Sequence, residues 1–134
     1  MQVLNPPAWP RPKGYSNGIK AKGETIFLAG LVGWTLAEVF ETEDLTGQAR
    51  RIFESAVALL AEAGAGPEHI VRMTWFVLDK DEYLASLENL GAAYREVIGR
   101  HYPAMSVVQV AGLIEAGARL EIEITAVIPE DIGG

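Results

Sequence analysis

The stretch Ile70-Val71-Arg72-Met73-Thr74-Trp75-Phe76-Val77-Leu78 decides the fold of this chain. It has strand length, and apolar side chains stand on both of its faces. One face presents Val71, Met73, Trp75 and Val77, and the other presents Ile70, Thr74, Phe76 and Leu78. A strand that is apolar on both faces is usually covered on both. We expect helices of the same chain on one face and a partner subunit on the other.

Helical periodicity predicts one helix before this strand in the chain and one helix after it. Residues 45–63 place apolar side chains at three- and four-residue steps, with Asp44 or Thr46 as the N-cap and Gly64 as the left-handed C-terminal residue. A second helix is predicted to begin at Asp79, which has capping-box spacing with Glu82, and to end before residue 99. Two helices are therefore expected in the chain.

Further strands are predicted outward from these helices. Residues 19–22 and 25–29 read as a hairpin joined by Gly23-Glu24, and residues 106–110 and 119–128 read as the last two strands. Right-handed crossovers would place both helices on the same side of the strands. The predicted fold class is thus α/β, with one mixed sheet and two helices on one face.

Length and composition indicate one domain. The 134 residues are 49% hydrophobic and 22% charged, which is typical of a single globular unit. Residues 1–13 are predicted to be an irregular arm because their four prolines cannot donate to a sheet ladder. Residues 14–129 form the domain, and residues 130–134 form a short tail. No segment approaches the roughly 20 apolar residues of a membrane helix, so we expect no membrane partner.

Charge and residue usage exclude several classes of site. The net charge is -7 and the basic residues are scattered, so nucleic acid is not an expected partner. The chain has no cysteine, which fits a cytoplasmic location and excludes thiolate chemistry. Its two histidines are far apart in sequence, so no metal site is predicted. No serine has histidine and acidic partners at a recognisable spacing.

Four runs of residues resemble the reactive-intermediate deaminase (Rid, or YjgF-like) family. Residues 94–106, YREVIGRHYPAMS, are similar to the stretch around its Pro-Ala-Arg-Ser motif, and residues 120–127, LEIEITAV, to its closing strand. Residues 26–30, IFLAG, stand where family members have a strand ending in Ser-Gly-Gln, and residues 70–77 resemble the central strand. The likeness covers residues 14–129 in order.

The resemblance implies a chorismate-mutase-like fold of the YjgF type. It also implies a homotrimer whose sheets form a central barrel, with three ligand clefts between neighbouring subunits. Active members hydrolyse small enamines and imines to carbonyl compounds and ammonia, without a metal or cofactor. The expected partner of this chain is therefore a small-molecule substrate or ligand.

The resemblance also implies a set of site residues. Glu121 matches the carboxylate that positions the attacking water. Met105 stands where active members have the arginine that binds the substrate carboxylate, and it offers neither charge nor donor. Trp34 could roof an apolar pocket beside Leu31 and Met105, or cover a subunit seam. The expected substrate-binding residues are Tyr15, Ala29, Gly30, Leu31, Trp34, Gly91 and Met105.

Three functions remain open from the sequence. The first is an enamine or imine deaminase in which Glu121 positions water and the cleft is more apolar than in active members. The second is a non-catalytic trimer that binds a small metabolite, which the methionine at position 105 favours. The third is RNA cleavage, against which the acidic charge counts.

Overall fold

The computed structural model describes residues 1–130 of the 134-residue chain. Within them, α-helices alternate with strands along the chain. The elements are β1 (Gln2–Leu4), β2 (Gly18–Lys20), β3 (Gly23–Leu31), α1 (Leu45–Glu62), β4 (Ile70–Val77), α2 (Lys80–Ala85), α3 (Leu87–Val97), β5 (Ala104–Gln109) and β6 (Leu120–Pro129). A single 3₁₀ turn, Pro67–His69, precedes β4.

The main sheet has four strands in the order β3-β6-β4-β5. β4 pairs parallel with β5 and antiparallel with β6, and β6 pairs antiparallel with β3. The strand that is apolar on both faces, β4, is therefore internal to the sheet. Helices α1 and α3 pack against each other, and α1 contacts β3 and β6. The predicted α/β class, mixed sheet and helix-covered face are confirmed.

The core lies between α1 and the sheet. Ile52, Phe53 and Leu60 of α1 are fully buried, and Met73 and Trp75 of β4 are buried beneath the helices. Side chains of this kind each contribute about 1.5–3 kcal/mol by leaving water. The predicted caps are confirmed as well: the Asp44 carboxylate accepts a hydrogen bond from the backbone nitrogen of Gly47 at 3.1 Å, and Gly64 has a φ of 72°.

Gln48 is a fully buried polar residue on the core-facing side of α1. Its side-chain nitrogen donates to the carbonyl oxygens of Thr42 at 2.9 Å and Gly117 at 3.0 Å. Its side-chain oxygen accepts from the backbone nitrogen of Arg119 at 2.8 Å. One side chain therefore joins the start of α1 to the loop that leads into β6.

The predicted hairpin between residues 19–22 and 25–29 is wrong. β2 pairs with β1, and β3 pairs with β6. β3 has nine residues and β6 has ten, so their pairing forms a much longer ladder than the three-residue β2 could offer. Gly23 is the first residue of this ladder rather than part of a tight turn. A side chain there would collide with the backbone oxygen of Ile128, since a Cβ added to Gly23 would lie 1.8 Å from it.

The prediction of an irregular N-terminal arm is wrong for its first residues. Gln2–Leu4 form β1, which pairs antiparallel with β2 as a separate two-stranded sheet. The proline-containing part, residues 6–12, has no helix or strand. The chain thus has two sheets instead of the single sheet predicted.

The second predicted helix is divided in two. Ser86 ends α2 and precedes α3, with φ and ψ of -101° and 2°. Its hydroxyl donates to the carbonyl oxygen of Glu82 at 2.8 Å, a local bond by which serine competes with helical geometry. The predicted N-cap is confirmed, because the Asp79 carboxylate accepts from the backbone nitrogens of Asp81 and Glu82.

The two ends of the domain meet at the start of β3. Within the predicted tail, Glu130 donates its backbone N–H to the carbonyl oxygen of Lys22 at 3.3 Å and forms an ion pair with the Lys22 side chain. Residues 131–134 of that tail lie outside the described residues. Among residues 1–130, no helix is long and apolar enough to cross a membrane.

The sheet face opposite the helices is uncovered in a single chain. Phe27 on β3 is 78% exposed, and Val108 on β5 is 44% exposed. Phe76 on β4 is partly buried between them. Large apolar side chains grouped on an open face are typical of a protein contact. The expected subunit partner on this face stays a prediction.

Candidate functional site

The sheet separates the expected site residues onto two faces. Met105 on β5 is in register with Met73, which is buried beneath the helices. Glu121 on β6 is in register with Phe76, whose side chain lies on the open face. Because paired residues of neighbouring strands point to the same side, Met105 and Glu121 lie on opposite faces of the sheet.

Glu121 is packed against the backbone of Gly30. A Cβ added to Gly30 would lie 2.4 Å from Oε2 of Glu121 and 2.7 Å from its Cδ. The carboxylate therefore occupies the space that any other residue at position 30 would need. Ala29 and Leu31 flank this contact: Ala29 is exposed, and Leu31 is partly buried against the core. Of the expected residues, Gly30 contacts Glu121, and Ala29 and Leu31 are its neighbours in the chain.

A surface pocket of about 210 Å³ opens beside the Glu121 carboxylate. Phe76 forms its floor together with Glu121, and the loop after β5 forms its wall. The lining residues are Phe76, Val110, Gly112, Leu113, Ile114 and Glu121. Ile114 is 95% exposed, so this wall extends into solvent. A carboxylate with an apolar wall on one side can accept a proton from a bound water and hold it in place.

Met105 and Gly91 share a second pocket of about 370 Å³ on the helix side. Its walls are largely aromatic and aliphatic, and come from β4, α2, α3 and β5. The lining residues are Lys13, Gly14, Trp75, Tyr83, Leu87, Leu90, Gly91, Tyr94 and Met105. Such a lining, with few polar groups, is typical of a small-molecule site.

The two tyrosines of the Met105 pocket are neutral phenols. Burial raises the pKa of Tyr83, and burial with the nearby Tyr102 phenol raises the pKa of Tyr94. Tyr94 also donates its hydroxyl to the carbonyl oxygen of His101. The phenols therefore stay protonated throughout the physiological pH range, and neither supplies a charge to the pocket.

Tyr15 lies next to the Met105 pocket rather than in it. Its neighbour Gly14 lines that pocket, whereas Tyr15 is 42% exposed and lines an adjoining groove with Arg11 and Arg100. The segment is held in place by Ser16, whose hydroxyl donates to the carbonyl oxygen of Tyr102 at 2.6 Å. The groove and the pocket share Gly14 in their linings.

Trp34 lines neither pocket within one chain. Its ring packs against Phe40, with ring centroids 5.8 Å apart. It therefore does not roof a pocket with Leu31 and Met105 in the single chain, because β3 and β5 are the opposite edge strands of the four-stranded sheet. The alternative interpretation, that Trp34 covers a subunit seam, stays a prediction.

The sequence alone does not mark Trp75, Tyr83 and Leu87 as pocket residues. The sequence predicts Trp75 in the central strand, which the structure confirms. It predicts the other two in the second helix, where Tyr83, Leu87 and Leu90 recur on one apolar stripe. The signal that could have found them is the width of this stripe. The helix breaks at Ser86, and Tyr83 of α2 and Leu87 of α3 both line the pocket with Met105 of β5. In the part of the chain that the structure describes, no cluster of His, Asp or Glu could hold a metal ion.

The fold places the chain in a known class of small α/β proteins. The endoribonuclease L-PSP family model matches residues 8–128. The chain belongs to this family, which is the Rid/YjgF/RutC family that the sequence resembles.

Individual relatives agree with this assignment. Protein DfrA of Myxococcus xanthus is 32% identical over 119 residues, covering 84% of each chain. A 2-iminobutanoate/2-iminopropanoate deaminase of Dermatophagoides farinae is 27% identical over 129 residues, covering 95% of this chain and 96% of the relative. A solved structure from Yersinia pestis, a protein of unknown function in the conserved Rid family, superposes with a TM-score of 0.82 at 27% identity and covers 95% of this chain and 98% of its own.

Proposed function

We propose that this protein is an imine or enamine deaminase that acts at clefts between the subunits of a homotrimer. The observation that supports this most directly is the Glu121 carboxylate, which is packed over Gly30 beside a small apolar-walled pocket. A family member of similar length is named an iminobutanoate deaminase. The reaction would need no metal and no cofactor, and the cytoplasm is its proposed location.

The proposed reaction is a hydrolysis in which Glu121 accepts a proton from water and then returns it. The carboxylate accepts a proton from water while the water oxygen forms a bond to the imine carbon, and the C=N electron pair moves to nitrogen. The nitrogen takes this proton back from the Glu121 carboxyl, which gives the carbinolamine and restores the carboxylate. The hydroxyl proton of the carbinolamine then passes to the nitrogen, the C–N bond breaks with release of ammonia, and a C=O bond forms. One water is consumed and no electron acceptor is required.

The proposed activity is tested by ammonia release from freshly generated imines. An amino-acid oxidase or a pyridoxal-phosphate lyase supplies the imine, and a coupled assay measures ammonia with and without the purified protein. The expected result is release faster than in buffer, with a carbonyl product in equal amount. Release at the buffer rate across ketimines of apolar and of carboxylated type would contradict the proposal.

The cleft is proposed to need two copies of the chain. Because Glu121 and Met105 lie on opposite sheet faces, no ligand can contact both within one subunit. A neighbouring copy docked on the open face would bring its Met105 pocket to the Glu121 of the first. The apolar residues exposed on that face support such docking.

Mixing two inactive variants is predicted to restore activity. Glu121→Gln removes the base, and Met105→Glu places a charge in the other pocket, so each variant alone should be inactive. If every site draws one half from each of two subunits, refolding the variants together at equal amounts should recover about a quarter of wild-type activity. No recovery at any ratio would show that the site lies within one chain.

Gly30→Ala is predicted to impair activity without unfolding the protein. The new methyl group would lie where the Glu121 carboxylate now sits, so the carboxylate must rotate away. We expect ammonia release to fall by at least about 10-fold, since a catalytic base must stay within hydrogen-bond reach of the water. Thermal unfolding measured in parallel should change little, and full activity with an unchanged Tm would contradict the role of this contact.

A non-catalytic binding protein is the second candidate. Met105 supports it, because a thioether cannot anchor a substrate carboxylate and the pocket around it is apolar. Native mass spectrometry that finds a bound metabolite, combined with no turnover in the ammonia assay, would favour this function. RNA cleavage is disfavoured by the net charge of -7, and an RNA-cleavage assay on the purified protein tests it.

A further inference from the structure

Trp75 has a buried N–H group with no partner. Its side chain is 4% exposed, and its indole nitrogen makes no hydrogen bond within residues 1–130. Leaving such a donor unpaired costs about 1–3 kcal/mol, so native proteins rarely do so without a functional reason. Trp75 is also a wall of the Met105 pocket. The same side chain therefore carries the unpaired donor and lines the pocket.

The other polar side chains of this pocket are those of Tyr94, Tyr83 and Lys13. The Tyr94 hydroxyl donates to the carbonyl oxygen of His101. Lys13 is exposed on the proline-containing arm. The interior is formed by aromatic rings and by Leu87, Leu90 and Met105. The rings of Trp75 and Tyr83 make a T-shaped contact, with ring centroids 6.1 Å apart. A ligand inside would thus meet mainly apolar walls, with the Trp75 N–H as a buried donor that lacks a partner.

We propose that the Met105 pocket binds a small uncharged molecule with an aromatic or other apolar body, and that the Trp75 indole N–H donates to its hydrogen-bond acceptor. Ketones and ketimines belong to this class, since a carbonyl oxygen or an imine nitrogen is the acceptor. This inference rests on the proposed function, for which it names the substrate class. Trp75 is the specificity-determining residue.

The pocket can admit such a molecule because its lining is adaptable. The indole nitrogen is closed to solvent, so the acceptor must arrive with a ligand that displaces part of the wall. Met105 is unbranched and partly exposed, and a methionine side chain adjusts to an irregular ligand surface more easily than a branched one. A short carboxylated substrate would gain nothing here, because burying its charge beside these walls is costly without a cationic partner.

The experiment is a binding titration with acetophenone, followed by ¹H–¹⁵N NMR of the indole N–H signals. The chain has three tryptophans, so three such signals are expected and single Trp→Phe variants assign them. Acetophenone should move the Trp75 signal downfield and leave the Trp9 signal unchanged, since Trp9 is 55% exposed on the arm. Ethylbenzene has a similar shape without the acceptor and should bind about 5- to 10-fold more weakly.

Two variants distinguish the loss of the Trp75 hydrogen-bond donor from the loss of the pocket itself. Trp75→Phe should weaken acetophenone binding to the level of ethylbenzene, whereas the control Trp9→Phe should bind normally. Gly91→Leu should fill the pocket and abolish binding of both probes, while α3 stays folded because leucine favours a helix more than glycine does. If Trp75→Phe does not fold, the NMR shift in the wild-type protein and the Gly91→Leu result still test the proposal.

Two outcomes would overturn this inference. One is equal binding of acetophenone and ethylbenzene, and the other is tight binding of 2-oxobutanoate with no shift of the Trp75 signal. These failures differ from failure of the proposed function. Acetophenone binding through Trp75 without ammonia release would remove the activity and keep the ligand class. Ammonia release from carboxylated imines without probe binding would support the activity and contradict the ligand class.

Discussion

Glu121→Gln is expected to lower the rate of imine hydrolysis by about 100- to 10,000-fold, the range over which a positioned general base acts. The amide keeps the size of the side chain and its packing over Gly30, but it cannot accept a proton from water. Steady-state ammonia release on one imine measures the effect. The loss should appear in kcat, with ligand binding little changed.

Glu123→Gln is the matched control for this variant. Glu123 lies on the same strand and the same sheet face, two residues further on, in register with Thr74 and exposed. Its carboxylate does not line the pocket beside Glu121, so its replacement should leave the rate within about twofold, as expected for an exposed surface substitution. Equal losses in both variants would indicate a general electrostatic effect of the strand rather than a base at Glu121.

Gln48→Met is expected to destabilise the protein by about 3–5 kcal/mol. Methionine has nearly the same volume, but it leaves the carbonyl oxygens of Thr42 and Gly117 and the backbone nitrogen of Arg119 without their partner. These bonds are partly buried, and a group left without a partner away from water costs about 1–3 kcal/mol. Denaturant unfolding followed by circular dichroism measures the difference in the free energy of unfolding.

Gln109→Met provides the comparison for Gln48. Gln109 is exposed, and its side chain accepts one hydrogen bond, from the backbone nitrogen of Lys80 at 2.8 Å. That group can turn to water when the partner is removed, so the expected loss is below about 1 kcal/mol. A Gln48 variant as stable as the Gln109 variant would show that water replaces the three buried bonds.

The sequence was sufficient for the central strand, α1 and the caps. Periodicity at Ile52, Phe53 and Leu60 gave the buried face of α1, and Asp44 and Asp79 marked helix starts because a side-chain oxygen satisfies free N–H groups locally. These features depend on residues a few positions apart. The family resemblance also came from contiguous runs of residues, and the family model confirms it.

The sequence was insufficient wherever long-range competition decided the outcome. The hairpin predicted at Gly23 does not form, because β3 pairs with β6 in a longer ladder. Nearly a hundred residues separate β3 from β6 in the chain, so a local sequence pattern cannot predict this pairing. The three bonds of Gln48 likewise join positions up to 71 residues apart. A polar residue on an apolar stripe could signal such a role, but its partners could not be named.

The candidate site shows the same division. The sequence by itself determined which residues have site chemistry, since Glu121 matches the family carboxylate and Met105 excludes an arginine clamp. Only the tertiary structure decided that these two residues lie on opposite faces of the sheet, and that Trp75 brings an unpaired donor to the Met105 pocket. The physical reason is that side-chain identity is a local property. The sheet face on which a residue lies, its burial and its hydrogen-bond partners are set by strand register and packing across the whole chain.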